Sequence, residues 1–502
     1  MPRPRATTSI PWLGTVDRAA GRVGRQIAGA LRAAIAGNAL KAGELLPSTR
    51  ALSVSLGVAR GTVVEAFEQL QAEGYLDSHI GAGTRVAAML ADQPRPVRPK
   101  LDRNAPTSPL PMTPRARRLA AVAAAFTPMP EAPFAIPVPA GAVAPDDNWR
   151  RLGNRVRASR VAAPSSYGDP RGVMELRQAI ADYVRKSRAV HCAPEQVMIT
   201  AGTQQGLYLA GRVLLSRGDH VWAEDPAYPG MTAVLDDLDV VTTRVPVDAQ
   251  GIDVDAGIAT CPNAAAAFVT PSHHYPLGMP ISMARRKALV AWAQRHNAWI
   301  VEDDYDSELR YAGHPFPSLQ GLDPSRVVYL GTLSKVLFPS LRLGYIVAPA
   351  PLIDAFAGAR ALLDRHSPTA DQHVLAAYMR EGFFEAHIRR IRGVYAARRA
   401  TLITALERHM PRDATLQPSD QGMHLLLWLP QGVDDVQLAK AALAEGIVTR
   451  AISPMYKRKP RPGLMLGFGG FAPDELESAA LRLRRVMDQD GLRPARRAHR
   501  TP

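Results

Sequence analysis

Apolar residues near the start of the chain recur at helical spacing between short polar breaks. The first apolar stripe recurs every fourth residue and consists of Val23, Ile27, Leu31 and Ile35. Such a stripe predicts an amphipathic helix. Pro47 and Ser48 supply the start of a second helix, Gly57 ends it, and a third helix is predicted to begin near Arg60. Two short helices joined by a tight glycine turn predict a helix-turn-helix.

The third predicted helix leaves a polar face open, and a hairpin follows it. This open face consists of Arg60, Thr62, Glu65 and Gln69. Base edges and phosphates of DNA are contacted from the N-terminal end of such a helix. Residues 74–86 predict a β-hairpin with Gly81 and Gly83 at its tip. The pattern indicates either a DNA-reading module or a small helical bundle.

The character of the chain changes near residue 90 and again near residue 146. The stretch between them is rich in proline, which removes backbone donors and fixes φ, so it predicts a semi-rigid linker. From Trp149 onward, strand-like runs alternate with helical ones, which predicts an α/β domain with a largely parallel sheet. We therefore predict a helix-turn-helix domain at 17–89, a linker at 90–145 and an α/β domain at 146–490.

Charge and cysteine content narrow the class of protein. The formal net charge of +15 favours a polyanionic partner such as double-stranded DNA, because phosphates are attracted and counterions are released. A basic surface that serves solubility is the alternative. Cys192 and Cys261 have neither disulfide nor metal-ligand spacing, which predicts a reducing compartment and no metal site. No apolar run approaches the ~18 residues that a membrane helix needs, so a cytoplasmic protein without a membrane partner is predicted.

Residues 326–345 carry the most specific chemistry. A β-rich run ends in Gly331, a turn with the hydroxyls of Thr332 and Ser334 follows, and then come Lys335 and Arg342. A lysine can form a Schiff base with an aldehyde, while hydroxyls and a guanidinium hold a phosphate. This division of labour is the one that pyridoxal 5'-phosphate requires.

Three further strand-like runs end in polar residues. Thr203 and Gln204 stand where a helix starts, Tyr228 follows a second strand, and Asp303 and Tyr305 follow a third. In parallel sheets, ligands bind beyond the carboxyl ends of the strands, so these loops are predicted to converge with Lys335 on one crevice. Taken singly, each residue also fits a surface, capping or packing role.

The N-terminal module resembles the winged helix-turn-helix of the GntR superfamily. The resemblance rests on LLPSTRAL, GVARGTVVEAFEQLQAEGYL and IGAGTRV, which together cover nearly the whole module. It implies that DNA is contacted by Arg50, Arg60, Thr62 and Gly81. Gly61 departs from the family pattern, in which a bulkier polar residue is frequent at this point.

Residues from about 145 to 486 resemble the fold type I aminotransferases. Together with the N-terminal module, they resemble the MocR-type regulators of the GntR superfamily. The resemblance implies a multidomain fold, in which a mainly α winged helix-turn-helix is linked to an α/β pyridoxal phosphate-dependent transferase fold. The large part of that fold is expected at about 165–350, and a small α+β C-terminal subdomain at about 351–490.

The same resemblance assigns a role to each candidate residue. Lys335 would form the Schiff base, Asp303 would pair with the pyridine nitrogen, and Tyr305 would bond the ring hydroxyl. Tyr228 would stack on the ring. The phosphate would be held by Thr203, Gln204, Thr332 and Arg342.

Two positions depart from the aminotransferase pattern. Tyr275 stands where aminotransferases carry an asparagine that contacts the ring hydroxyl, and His273 is a candidate replacement. Met465 stands where they carry the arginine that clamps the substrate carboxylate, and a methionine cannot make a bidentate carboxylate bond. Arg450 and Arg461 are candidate substitutes from nearby.

The sequence thus predicts a homodimeric transcription regulator rather than an enzyme, and we assign no catalytic residue. Its aminotransferase-like domain would sense pyridoxal phosphate and, as a second effector, an amino acid or amine. The alternatives are an active aminotransferase with an accessory DNA-binding module, and a constitutive DNA-binding protein with an inactive scaffold.

Overall fold

The computed structural model describes residues 16–17, 21–79, 82–87, 112–126, 128–136, 139, 147–313, 316–417 and 419–489. The chain divides into two compact units, Met1–Pro111 and Met112–Pro502. This boundary lies inside the stretch 90–145 that the sequence predicts as one linker.

The described residues of the first unit form three helices and a hairpin. The elements are α1 Val23–Ala36, α2 Thr49–Leu56, α3 Arg60–Ala72, β1 Leu76–His79 and β2 Gly83–Val86. The Ser48 hydroxyl accepts a hydrogen bond from the Ala51 amide and caps α2, while Gly57 ends that helix at a φ of 63°. The two strands pair antiparallel, with Leu76 opposite Val86. The mainly α winged-helix fold is therefore as predicted.

A hydrophobic core holds the three helices of the first unit together. Its fully buried members include Ile27 and Leu31 of α1, Leu52 of α2, and Val63 and Leu70 of α3. Val23 and Ile35 are only partly buried, because the buried stripe of α1 runs through Ala28 and Ala34 instead. Alanine lets the neighbouring helix approach closely on that side.

The middle of the predicted linker contains a helix, α4 Pro114–Ala125. Thr113 caps it by accepting a hydrogen bond from the Ala116 amide, and Pro114 takes the first helical position, where its missing amide hydrogen is not needed. Arg115 and Arg118 form ion pairs of 3.0 Å with Asp237 and Asp239 of the second unit. The linker prediction rested on proline content and overlooked the arginine, alanine and leucine that favour a helix here.

The second unit is built on an eight-stranded sheet. Its strands are β3 Val197–Thr200, β4 His220–Asp225, β5 Val241–Asp248, β6 Gly251–Ile252, β7 Ala266–Val269, β8 Trp299–Asp304, β9 Val327–Thr332 and β10 Gly344–Val347. The spatial order is β3-β10-β9-β8-β7-β4-β5-β6. The run from β9 to β5 is parallel, while β10 is antiparallel to both of its neighbours and β6 to β5. The largely parallel sheet is confirmed.

Helices flank this sheet and connect its strands. They are α5 Asp147–Arg157, α6 Met174–Arg188, α7 Thr203–Leu214, α8 Pro229–Asp237, α9 Val254–Thr260, α10 Met283–His296, α11 Leu319–Leu322, α12 Ile353–Asp364, α13 Ala370–Arg380 and α14 Phe383–His409. Strands β3, β7 and β9 are buried along their whole length, as expected for a sheet covered on both faces.

A smaller antiparallel sheet follows toward the C-terminus. It contains β11 Thr415–Gln417, β12 His424–Trp428, β13 Arg450–Ala451 and β14 Gly463–Gly467 in the order β11-β12-β14-β13. Helices α15 Asp435–Ala444 and α16 Pro473–Gln489 accompany it. This is the small α+β part that the sequence predicts. None of the helices in the described ranges has both the length and the apolar character needed to cross a membrane.

Candidate cofactor site and DNA-binding face

One cavity in the second unit collects all the residues predicted to hold a cofactor. It is lined by Thr203, Gln204, Tyr228, Asp303, Tyr305, Thr332, Lys335 and Arg342. These residues lie in the last positions of β8 and β9, follow β4, β8 or β9, or begin the helix after β3. The loops beyond four strands therefore converge as the sequence predicts.

Lys335 lies just after β9 at the wall of this cavity. It is half-buried, and the loss of solvation lowers the pKa of its amine. The carboxylate of Asp306 opposes that shift, while the positive charge of Arg450 adds to it. A lowered pKa increases the fraction of neutral amine, which is the form that attacks an aldehyde.

Asp303 supplies a carboxylate from β8. Burial, together with the neighbouring Asp304 and Asp306, raises the pKa of Asp303 to about 7, and the charge of Lys335 opposes this rise. Its Oδ1 atom is buried and has no hydrogen-bond partner among the described residues. An acceptor without a partner in a cavity wall is suited to the N–H of a protonated pyridine ring.

A phosphate-sized cradle lies where α7 begins. Gly202 precedes the helix at a φ of 96°, and a β carbon there would lie 3.3 Å from the Arg342 guanidinium. Arg342 donates a hydrogen bond to the carbonyl of Ala201. The buried hydroxyl of Ser334 has no partner among the described residues. Free amides at a helix start, hydroxyls and a guanidinium together favour an anion.

Two aromatic residues shape the cavity between these ends. Burial raises the pKa of Tyr228 to about 12, so its phenol stays protonated. Tyr275 also lines the cavity and meets Tyr228 edge to face, with ring centroids 5.4 Å apart. Tyr275 thus forms part of the wall from the asparagine position of the aminotransferase pattern.

His273 does not belong to the cavity lining but lies behind Tyr305. Its Nδ1 atom is 2.8 Å from Asp306 Oδ2 and 3.1 Å from the Tyr305 hydroxyl. The Ser419 hydroxyl is 3.4 Å from the other ring nitrogen. His273 thus contacts the hydroxyl of Tyr305 from outside the cavity lining, whereas the sequence analysis considered it as a direct replacement of the asparagine.

Position 465 and its two candidate substitutes, Arg450 and Arg461, differ in their access to the cavity. Met465 is fully buried in an apolar cluster and does not line the cavity. Arg461 lies over the ring of Trp428, with its guanidinium carbon 3.8 Å from the centroid. Arg450 lines the cavity.

Eight of the described lining residues lie outside the set that the sequence predicts to bind the cofactor. These are Ile136, Gly202, Thr270, Tyr275, Ser334, Met423, His424 and Arg450. Ser334 carried a signal, since it directly precedes Lys335 in the hydroxyl-rich turn. His424 carried none, because it arrives from the small sheet, where burial lowers its pKa to about 3 and keeps the ring neutral.

The residues predicted to contact DNA lie in the first unit. Arg50 of α2 and Arg60 at the start of α3 are exposed, and Thr62 is half-buried. Among the described residues, no carboxylate lies within ion-pairing distance of either arginine. Gly81 lies outside the described residues, while its neighbour Gly83 begins β2. The start of α3 therefore presents an uncompensated cation to solvent.

The fold and the cavity define a protein that joins a winged-helix unit to an aminotransferase-like unit. Residues 24–86 match the family described as bacterial regulatory proteins of the gntR family, and residues 139–479 match aminotransferase class I and II. The chain belongs to the MocR-type regulators, in which a GntR DNA-binding domain precedes an aminotransferase-like domain.

Relatives of the whole chain are named as regulators. The probable rhizopine catabolism regulatory protein MocR of Rhizobium meliloti is 36% identical over 95% of this chain and 97% of that protein. The pyridoxine biosynthesis transcriptional regulator PdxR of Corynebacterium glutamicum is 33% identical over 90% of this chain and 93% of that protein. The present chain is therefore a DNA-binding transcription regulator by family.

Solved structures similar to the second unit are aminotransferases. A multiple substrate aminotransferase from Thermococcus profundus is 26% identical, with a TM-score of 0.68 over 76% of this chain and 98% of that chain. Kynurenine aminotransferase of Pyrococcus horikoshii is also 26% identical, with a TM-score of 0.67 over 76% of this chain and 96% of that chain. Pyridoxal 5'-phosphate is the cofactor of this fold, and the unpartnered Asp303 and Ser334 atoms fit its ring nitrogen and its phosphate.

Proposed function

We propose that this regulator senses pyridoxal phosphate in its second unit and converts occupancy of that site into altered binding of operator DNA by its first unit. One observation carries the proposal. Every predicted cofactor-binding side chain lines a single cavity, in a chain whose other unit exposes Arg50 and Arg60 at a helix-turn-helix.

Each cavity residue has a task in this proposal. When bound, the cofactor supplies an aldehyde that condenses with a lysine amine and a pyridine ring that accepts electrons. Lys335 provides the amine, and its lowered pKa favours the neutral form. Asp303, whose Oδ1 atom has no partner among the described residues, would balance a protonated ring nitrogen, and Tyr305 would bond the ring hydroxyl. Tyr228 covers the ring.

The phosphate end is proposed to be held by the start of α7 and the turn after β9. Thr203 and Gln204 begin that helix, and Thr332 and Arg342 approach from the other side. We add Ser334 to this set, because its hydroxyl is buried and lacks a partner among the described residues. A dianionic phosphate would satisfy the Ser334 hydroxyl and the Arg342 guanidinium together.

The DNA-binding part of the proposal concerns the first unit. Arg60 and Thr62 at the start of α3 would reach base edges or phosphates in the major groove, and Arg50 and Gly81 would contact the backbone. We further propose a cytoplasmic homodimer, which would present two such units to an operator. A ligand biases the arrangement of those units only through its differential affinity for the alternatives.

A second candidate function is an active aminotransferase, and the intact pair of Lys335 and Asp303 favours it. The relatives of the whole chain favour the regulator instead, and the buried Met465 departs from the aminotransferase pattern, in which an arginine at that position holds the substrate. Steady transamination of common amino acids at ordinary enzyme rates, about 1 s⁻¹ or faster, would support the enzyme instead. A slow exchange of amines at the Lys335 site, well below enzyme rates, is compatible with a regulatory function.

The decisive experiment measures DNA binding with and without the cofactor. The purified full chain is titrated against a labelled fragment from upstream of its own gene, and fluorescence anisotropy reports the Kd at a fixed salt concentration. Pyridoxal phosphate is expected to change the Kd by about fivefold or more, a typical coupling between two sites. An identical Kd under both conditions would refute the proposal.

A further inference from the structure

The cavity contains one positive charge more than the cofactor uses. Among the described residues that line it, three carry cationic side chains, Lys335, Arg342 and Arg450, and Asp303 is the one carboxylate. The proposed function assigns Lys335 to the aldehyde and Arg342 to the phosphate. Arg450 is left without a task, and no carboxylate among the described residues lies within ion-pairing distance of it.

The position of Arg450 in the small sheet is informative. Strands β13 and β14 pair antiparallel, and Arg450 is the direct cross-strand partner of Met465. Residues opposite each other in an antiparallel pair project from the same face, with β carbons about 5 Å apart. Arg450 therefore presents its guanidinium from the face on which Met465 stands, but one strand further over.

Met465 has no access to the ligand from its own strand. Its side chain is fully buried among Leu277, Leu426 and Trp428. Of this cross-strand pair, Arg450 lines the cavity and Met465 packs in the apolar cluster. Arg450 therefore places a guanidinium next to position 465, where the aminotransferase pattern has an arginine and this chain has a methionine.

The surroundings of Arg450 leave most of its donors free. It is half-buried, its Nη2 atom lies 3.3 Å from the sulfur of Met129, and it hydrogen-bonds the phenol of Tyr275. A thioether is a weak acceptor, and a neutral phenol carries no charge. Ile136 and Met423 line the cavity as well, so this end is partly apolar. A partly desolvated guanidinium among such neighbours favours a bidentate carboxylate.

We propose that Arg450 binds the carboxylate of a second ligand, an amine that also carries a carboxylate, whose amine faces Lys335. This inference rests on the proposed function and deepens it, because it names the chemical class of the effector. Arg450 then takes the part that the resemblance assigns to position 465. An amine without a carboxylate would lack this anchor.

The test compares ligands that differ by one carboxylate. The full chain loaded with pyridoxal phosphate is titrated with L-alanine, with β-alanine and with ethylamine, which is what either alanine becomes when its carboxylate is removed. The absorbance of the bound cofactor reports half-saturation. At least one alanine is expected to bind more tightly than ethylamine. Arg450→Gln is expected to weaken the binding of that alanine by about tenfold or more, a typical loss for a charged hydrogen bond, and to change ethylamine binding by a much smaller factor, because Arg450 acts on ethylamine only through its charge near Lys335.

Three further variants separate carboxylate binding from a general disturbance. Arg461→Gln removes an arginine of the same subdomain that lies over Trp428 outside the cavity, and it should not change the preference for the alanine. Arg450→Lys should retain part of that preference. The double variant Arg450→Met with Met465→Arg moves the guanidinium to the partner strand. It should restore the preference for the alanine over ethylamine.

Two results would overturn the inference. One is a wild-type chain that shows no preference for either alanine over ethylamine. The other is an Arg450→Gln chain that loses affinity for the alanine and for ethylamine in equal proportion. Failure of the proposed function looks different, since the wild-type chain would then give no absorbance band with pyridoxal phosphate, or would bind DNA equally with and without it.

Discussion

The two units of this chain place their functional residues in opposite environments. In the first unit, Arg50 and Arg60 are exposed and stand near each other in the sequence, on consecutive helices. In the second unit, residues from Thr203 to Arg342 come together in one cavity, where all of them except the exposed Arg342 are buried or half-buried. Surface cations act over a distance and are screened by salt, whereas enclosed groups act through contact and through shifted pKa values.

This contrast explains how one chain can hold both a DNA reader and a ligand sensor. A DNA-binding face needs charge that remains accessible to phosphates. A cofactor site needs the opposite, because burial raises the pKa of Asp303 and lowers the pKa of Lys335 toward the range where both can exchange protons. The lesson is that changes in the first unit should alter salt dependence, and changes in the second should alter spectra and pH dependence.

The largest effect is expected from Lys335→Ala. The variant removes the amine that the cofactor's aldehyde condenses with, so the absorbance band near the visible edge should be absent at every cofactor concentration tested. Lys287→Ala removes an exposed lysine of α10 and should leave the band unchanged. Retention of a full band in Lys335→Ala would show that another amine serves the site.

A core substitution in the first unit tests whether the two units unfold independently. Phe67 of α3 is buried in the core of that unit, and Phe67→Ala should lower its free energy of unfolding by about 3–5 kcal/mol. Calorimetry should show an earlier first transition, with weakened DNA binding but an unchanged cofactor band. Val54→Ala, at an exposed position of α2, is the matched control and should change stability by less than about 0.5 kcal/mol. Loss of the band in Phe67→Ala would contradict the separation.

The first unit could be predicted closely because its signals are local. Ser48 and Gly57 mark the ends of α2 through capping and backbone conformation, which are properties of a few adjacent residues. The start of α3 at Arg60 could be predicted because Gly57 ends the preceding helix. The helix α4 was missed because prolines before residue 114 concealed the good helix formers after it.

The second unit could be predicted only in part because its site depends on register. Residues at the ends of parallel strands were found, since strand ends of a parallel sheet share one edge. The access of Arg450 to the cavity depends on its pairing with Met465 across β13 and β14, which no local pattern encodes. Likewise, the support that His273 gives to Tyr305 requires the fold to bring Asp306 beside it.

The pH dependence of stability should carry the signature of Asp303. Its pKa rises from 3.8 to about 7 on folding, so the folded state retains a proton that the unfolded state loses between those values. The cofactor-free chain therefore loses stability as pH rises from about 4 to 7, by up to ~4 kcal/mol from this group. Asp303→Asn should remove that part of the slope, as measured by urea unfolding at pH 5 and pH 8.

Other buried carboxyls also contribute to that slope, so the comparison is a difference between variants. Glu302 and Glu308 likewise have pKa values raised to about 7 by burial. Asp413→Asn, at an exposed position, should retain the full wild-type slope. Equal slopes in Asp303→Asn and the wild type would mean that Asp303 ionises in the folded chain as easily as in water. Asp303→Asn should also weaken pyridoxal phosphate binding, since an amide cannot balance a protonated ring nitrogen.

The smallest of these effects is expected at the DNA-binding face, where single contacts are solvated. Arg60→Ala should weaken operator binding by about 1–3 kcal/mol if the side chain reads a base, and should leave the cofactor band unchanged. If it contacts a phosphate instead, affinity should fall evenly across sequences, and the slope of log Kd against log salt should decrease by about one. Arg212→Ala, at an exposed position of α7 in the second unit, is the control. An Arg60→Ala chain with wild-type affinity and salt slope would remove the start of α3 from the DNA interface, and with it the proposed division of tasks between exposed and enclosed charges.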